Sequence, residues 1–172
     1  VLDIAQNSLS AGAPLLEISV EENSAPDSFV IRIKDDGHGM TPEQVRQVTD
    51  PFYTTRTTRR VGMGVPLFRL AAEPGRGTTV TAAFVRSHID RAPLGDIEGT
   101  LTALIRLNPD RDFCFSHVYN GRSFQIDTRE LRQVLGEVAL DTPEVAAWIG
   151  EYIREQNLLL SGGAEPDGTH IQ

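Results

Sequence analysis

Four short stretches hold the residues of this chain that could do chemistry. They are Asp3-Ile4-Ala5-Gln6-Asn7, Asp35-Asp36-Gly37-His38-Gly39-Met40, Asp50-Pro51-Phe52-Tyr53-Thr54-Thr55-Arg56 and Gly62-Met63-Gly64, with Gly77-Thr78 following. The run from Thr54 to Arg60 carries three guanidinium groups and four hydroxyls beside a Gly-x-Gly. Arg56 could pair with phosphate oxygens in a bidentate manner, and Arg59 could join it. Backbone N–H groups at Gly62 and Gly64, with a helix start behind them, suit a triphosphate. The same composition also fits a solvated basic loop. Gly37 and Gly39 let the backbone approach a ligand because no Cβ intervenes, although a tight turn with solvated aspartates would read the same. Asp3 and Asn7 are four residues apart, one helical turn, and so share a face. Each motif alone is a weak signal, and the weight lies in their order and spacing.

The elements that must position these residues follow from periodicity and turn chemistry. Val1 to Ala11 reads as the end of a helix, with Val1, Ile4, Ala5 and Leu9 near one face and Gly12 as a stop. Leu15–Glu21 and Phe29–Lys34 alternate as two strands of an antiparallel hairpin around Asn23-Ser24-Ala25-Pro26-Asp27. Thr41 is an N-cap, Pro42 the first helical residue, and Gln44 completes a capping box. A short helix is expected over Gly64–Ala72, then a third strand over Thr78–Arg86. Further on, Gly95–Asn108 is an amphipathic helix, and Phe113–Tyr119 with Arg122–Asp127 is a hairpin turned at Asn120-Gly121. Thr128 is expected to cap a short helix ending at Gly136. Thr142-Pro143-Glu144 starts a longer one that buries Val145, Ile149, Tyr152 and Ile153. Residues 161–172 are Gly-, Asp- and Pro-rich and are expected to form a tail.

In this order and spacing the four motifs resemble those of the GHKL superfamily, the ATP-binding domain of gyrase-type ATPases, heat-shock chaperones, histidine kinases and mismatch-repair ATPases. The likeness covers roughly residues 1 to 86 and is nearest to small stand-alone bacterial members with a histidine-kinase-type ATPase domain. It implies an α+β fold of the Bergerat type, a two-layer sandwich with a mixed sheet and helices on one face. The expected organisation is an ATPase domain over 1–86, a C-terminal αββαα annex over 87–160, and the tail. The resemblance also implies roles. The carboxylate of Asp35 would accept from the adenine amine, and Asn7 would ligate Mg²⁺. Gly37, Gly39, Met40, Phe52, Thr55, Arg56, Arg59, Gly62, Gly64 and Thr78 would surround ATP, with Phe52 and Tyr53 packing under the phosphate loop. Asp3 stands where the family's hydrolases carry a Glu that orients or deprotonates the attacking water. It is one methylene shorter, and a misplacement of about 1 Å can cost ~10²-fold in rate. The chain also departs from the family between Ala72 and Gly75, where roughly ten residues of helix end and strand are missing by comparison with the pattern. A sheet with one strand fewer, or a segment lost from the sequence, would account for that.

Bulk properties narrow the partners. At 172 residues the chain can build one core, or one core with an annex. A net charge of −8 argues against nucleic acid or an anionic membrane as the main partner. The single cysteine, Cys114, excludes an internal disulfide and points to a reducing, cytoplasmic setting. No apolar run approaches the ~20 residues that span a bilayer. The first residues begin inside a motif without a Met, so more chain is expected upstream. His38, His88, His117 and His170 have no metal-ligand spacing. The resemblance leaves two functions open. One is a kinase of a partner protein, or an ATPase. The other is a non-catalytic ATP-gated switch whose annex binds a partner, with a homodimer also open.

Overall fold

The computed structural model describes residues 1–49, 67–91 and 93–162. Helix α1 (Leu2–Ser10) is followed by strands β1 (Leu15–Asn23) and β2 (Ser28–Asp35), then α2 (Pro42–Thr49), β3 (Leu67–Glu73) and β4 (Gly77–Val85). The remainder is α3 (Ile97–Leu107), β5 (Asp112–Tyr119), β6 (Arg122–Asp127), α4 (Thr128–Leu135) and α5 (Pro143–Leu160). The six strands form one sheet in the order β3-β4-β2-β1-β5-β6. Every neighbouring pair is antiparallel except β1 and β5, which run parallel. The hairpin β5–β6 therefore continues the plane of the sheet.

Alternation along the strands decides which face is covered. Leu16, Ile18 and Val20 of β1 are buried, as are Phe29 and Ile33 of β2, Phe113 and Phe115 of β5, and Phe124 and Ile126 of β6. The register sets Ile18 opposite Ile33 on one side and Phe115 on the other, with Phe115 opposite Ile126, so these residues share one face. Ala5 of α1, Leu101, Leu104 and Ile105 of α3, and Val145, Ile149 and Ile153 of α5 pack on it as one core. The other face is polar; Lys34 and Glu17 form an exposed cross-strand ion pair there at 3.0 Å. This is the α+β arrangement expected, a mixed sheet with helices on one face.

Local signals hold closely. Thr41 and Gln44 form the reciprocal capping box, with Thr41 N donating to Gln44 Oε1 at 2.8 Å and Gln44 N to Thr41 Oγ1 at 3.3 Å. Asn120 and Gly121 both take positive φ, as a two-residue hairpin turn of this hand requires. The cap of α4 is Asp127, not Thr128, and it accepts from Arg129 N at 2.9 Å. Thr128 turns its hydroxyl to Phe113 N at 2.8 Å instead, tying α4 to β5. Of the aromatics in the second half of the chain, Phe113, Phe115 and Phe124 are core, while Trp148 is half exposed and stacks on Tyr152.

One expectation fails. The helix expected over Gly64–Ala72 is not formed where the chain is described; residues 67–73 are strand β3, paired antiparallel with β4 from Leu67 opposite Ala83 to Glu73 opposite Gly77. The segment is too short for both a helix and a strand before the turn at Pro74-Gly75-Arg76. The free edge of β4 offers a full ladder of backbone hydrogen bonds, and pairing wins. The strand ahead of Gly77-Thr78 is thus kept, so the sheet does not lose a strand there.

At the sheet end where β1 and β5 finish, His117 is 4% exposed. Its Nδ1 lies 2.7 Å from Asn157 Oδ1 of α5, and its Nε2 lies 3.3 Å from Glu22 Oε1, close but not aligned for a full hydrogen bond. Arg86 meets the other Glu22 oxygen at 3.4 Å and lies over the Tyr119 ring. Burial alone would raise the Glu22 carboxyl; His117 and then Arg86 outweigh it and hold the carboxyl below its ordinary 4.5. A depressed folded-state value contributes stability that is present above 4.5 and lost as pH falls through the folded value. Glu22→Gln is expected to cost about 1–3 kcal/mol at neutral pH and to flatten the acid limb of the stability curve. Urea midpoints measured from pH 7 down to acid check this; an acid limb as steep in the variant as in the parent would contradict it.

Candidate functional site

At the opposite end of the sheet, β2 delivers Asp35 into a corner made by α1 and β4. Asp35 is 4% exposed. Its Oδ1 accepts from Gly37 N at 3.0 Å and Thr78 N at 3.1 Å, and its Oδ2 accepts from Ser8 Oγ at 2.6 Å. Asp36 turns the other way and accepts from Leu15 N at 2.9 Å, which fixes the end of β2 against the start of β1. The glycine loop is clamped by neighbours, since His38 O accepts from Gly75 N at 2.8 Å. Gly39 has φ +67°, and a Cβ there would stand 1.9 Å from Glu73 O. The end of β3 thus packs against the Gly39 backbone where a side chain would stand.

Around this corner lies a cavity of about 640 Å³. Ile4, Ala11, Met40, Leu70 and Val80 give it apolar walls, and Asn7, Ser8, Asp35, His38, Gly39 and Thr78 line the rest. That size and mix suit a small organic ligand anchored by a few polar groups. A carboxylate offers about four lone-pair positions, and three on Asp35 are taken by protein donors. The remaining one, on Oδ2, suits a single N–H from a base. Asn7 offers an amide oxygen, and no cluster of three His, Cys, Asp or Glu exists among the described residues. A hard cation held chiefly by phosphate oxygens and water needs no such cluster. The residues present therefore fit Mg²⁺ and an adenine nucleotide.

A family model described as histidine kinase-, DNA gyrase B-, and HSP90-like ATPase matches residues 1–103. The chain belongs to this family. Two curated relatives of this ATPase-family chain are sensor kinases. It is 31% identical over 110 residues to the sensor protein kinase FleS of Pseudomonas aeruginosa, covering 57% of this chain and 26% of that protein. It is 31% identical over 83 residues to the sensor histidine kinase TmoS of Ectopseudomonas mendocina, covering 45% of this chain and 8% of that protein. The match thus spans about a quarter or less of each relative. Among the described residues no helix is long and apolar enough to cross a membrane.

Of the residues singled out from the sequence, Asn7, Asp35, Gly39, Met40 and Thr78 line the cavity together. Gly37 adjoins it through its bond to Asp35. Asp3 is exposed on α1 and is not among the lining residues. Phe52, Thr55, Arg56, Arg59, Gly62 and Gly64 lie outside the described residues. Ser8 was missed. The signal was its place on α1, three residues after Ala5 on the buried face, where a serine needs a partner.

Proposed function

We propose that the cavity binds Mg-ATP and that the chain uses it as a kinase of a partner protein, or as an ATPase, in cytoplasmic signalling. What carries this is the state of Asp35, a buried carboxylate with one acceptor position left in an apolar-walled cavity. Adenine carries an exocyclic amine that can fill it. In this reading Asn7 ligates Mg²⁺, and Arg56, Arg59 and the Gly62–Gly64 segment meet the phosphates. Residues 1–86 are the catalytic domain, and the annex of residues 87–160 docks the partner. Asp3 would orient the attacking group. The names of the two sensor kinases support phosphoryl transfer as the use made of the nucleotide. The test is phosphate release from Mg-ATP at high protein concentration. Release is expected in the parent and is expected to fall about 100-fold in Asp3→Ala and in Asn7→Ala.

A second reading is a nucleotide-gated switch without turnover. The exposed position of Asp3, outside the cavity lining, favours it. Saturable ATP binding without release, with or without a candidate partner, would decide for the switch.

A further inference from the structure

Two serines on α1 behave differently. Ser10 Oγ donates to Gln6 O at 2.8 Å, four residues back, as helical serines commonly do. Ser8 directs its proton to Asp35 Oδ2 instead, 27 residues away in sequence, at 2.6 Å. Both partners are almost fully buried, Ser8 at 6% and Asp35 at 4%. The serine hydroxyl donates and the carboxylate oxygen accepts.

We infer that Ser8 is a positioning residue that sets base selectivity by holding Asp35 with a single open acceptor position. This rests on the reading of the cavity as an adenine nucleotide site. Oδ1 is filled by the Gly37 and Thr78 N–H groups. Oδ2 takes the Ser8 proton on one side and turns its other lone pair to the ligand. Guanine presents two parallel donors, N1–H and the 2-amino group, and needs acceptors on both carboxylate oxygens. Here one of the two is occupied, so guanine would leave a buried donor unpaired. Adenine, with one amine beside a ring acceptor, is satisfied by the single position. Without the Ser8 hydroxyl, Oδ2 is no longer pinned, and the position loses its aim at the base.

The experiment compares ATP with purine riboside triphosphate, which differs only in lacking the 6-amino group, by direct binding titration. The parent is expected to prefer ATP by about 10-fold or more, the worth of a hydrogen bond to a charged acceptor. In Ser8→Ala the ratio is expected to shrink to about 3-fold or less. A merely structural role would weaken both nucleotides alike and leave the ratio intact, and that result overturns the inference. Should Ser8→Ala not fold, Ser8→Cys keeps the size and donates weakly, and the same compression is expected of it. A parent that binds neither nucleotide overturns the adenine reading itself. A parent that binds both equally leaves a nucleotide site but removes the role of Asp35 and Ser8 in reading the base.

Discussion

Asp35→Asn is expected to weaken ATP binding about 100-fold and to turn the preference toward inosine triphosphate. The two backbone donors, Gly37 N and Thr78 N, fix which side of the new amide is which. They demand the oxygen, so the NH₂ takes the place of Oδ2. Ser8 can then rotate to accept one amide hydrogen, because a hydroxyl both donates and accepts. The second amide hydrogen faces the cavity. Against adenine it meets the 6-amino group, donor against donor. Against inosine it meets the 6-oxo group, an acceptor. A site built around one polar group discriminates strongly when the partner is wrong, because the mismatch is buried. Titration of both nucleotides into parent and variant reads the ratio directly. An ATP-to-inosine-triphosphate ratio unchanged by the substitution would mean that Asp35 does not read position 6 of the base.

The second large effect lies in the backbone. Gly77 opens β4 with φ +85°, and a Cβ there would stand 1.9 Å from Asp35 O and 2.9 Å from Asp36 Cα. Neither atom can retreat, since Asp35 is registered opposite Thr78 and Asp36 is tied to Leu15 N. Gly77→Ala is expected to cost about 3 kcal/mol or more, combining overpacking with a disfavoured φ. That is a large share of the ~5–15 kcal/mol typical of a whole domain. Gly75, two residues earlier, has φ +73° but nothing within 4 Å of its Cβ position. Gly75→Ala is therefore expected to cost only about 1–2 kcal/mol, the conformational part alone. Denaturant midpoints of the two variants separate the contributions, and equal losses would show that the contact is not what makes Gly77 necessary.

Much of this was legible in the residues because it is local. The capping box of Thr41 and Gln44, the Asn120-Gly121 turn and the alternation of Leu16, Ile18 and Val20 each depend on neighbours within a few positions. The clustering of Asn7, Asp35 and Thr78 was legible for another reason: three distant motifs matched one family pattern. What escaped depended on partners far away in sequence. The stretch Leu67–Ala72 is apolar enough for helix or strand, and the open edge of β4 decided it. Thr128 carries the side chain of a cap, but Asp127 stood one place earlier, and Phe113 N drew the threonine away. The buried face of α1 marked Ser8 as needing a partner, but the partner, Asp35, lies 27 residues away in sequence.

The parallel pairing of β1 with β5 also bears on how the chain is made. The two strands are separated by on the order of 100 residues, and a ribosome adding ~5–20 residues per second needs roughly 5–20 s to bridge them. Strands β2, β3 and β4, joined by antiparallel pairing on the early side of the sheet, emerge within that interval. The described residues that line the cavity are also all made before β5, the last of them being Val80. The half-formed sheet then presents the bare hydrogen-bonding edge of β1 with Leu16, Ile18 and Val20 uncovered, a template for wrong pairing. The hairpin β5–β6 and helix α5 close that edge last. Residues with no visible part in the cavity corner thus cover the edge on which a nascent sheet is open to wrong pairing.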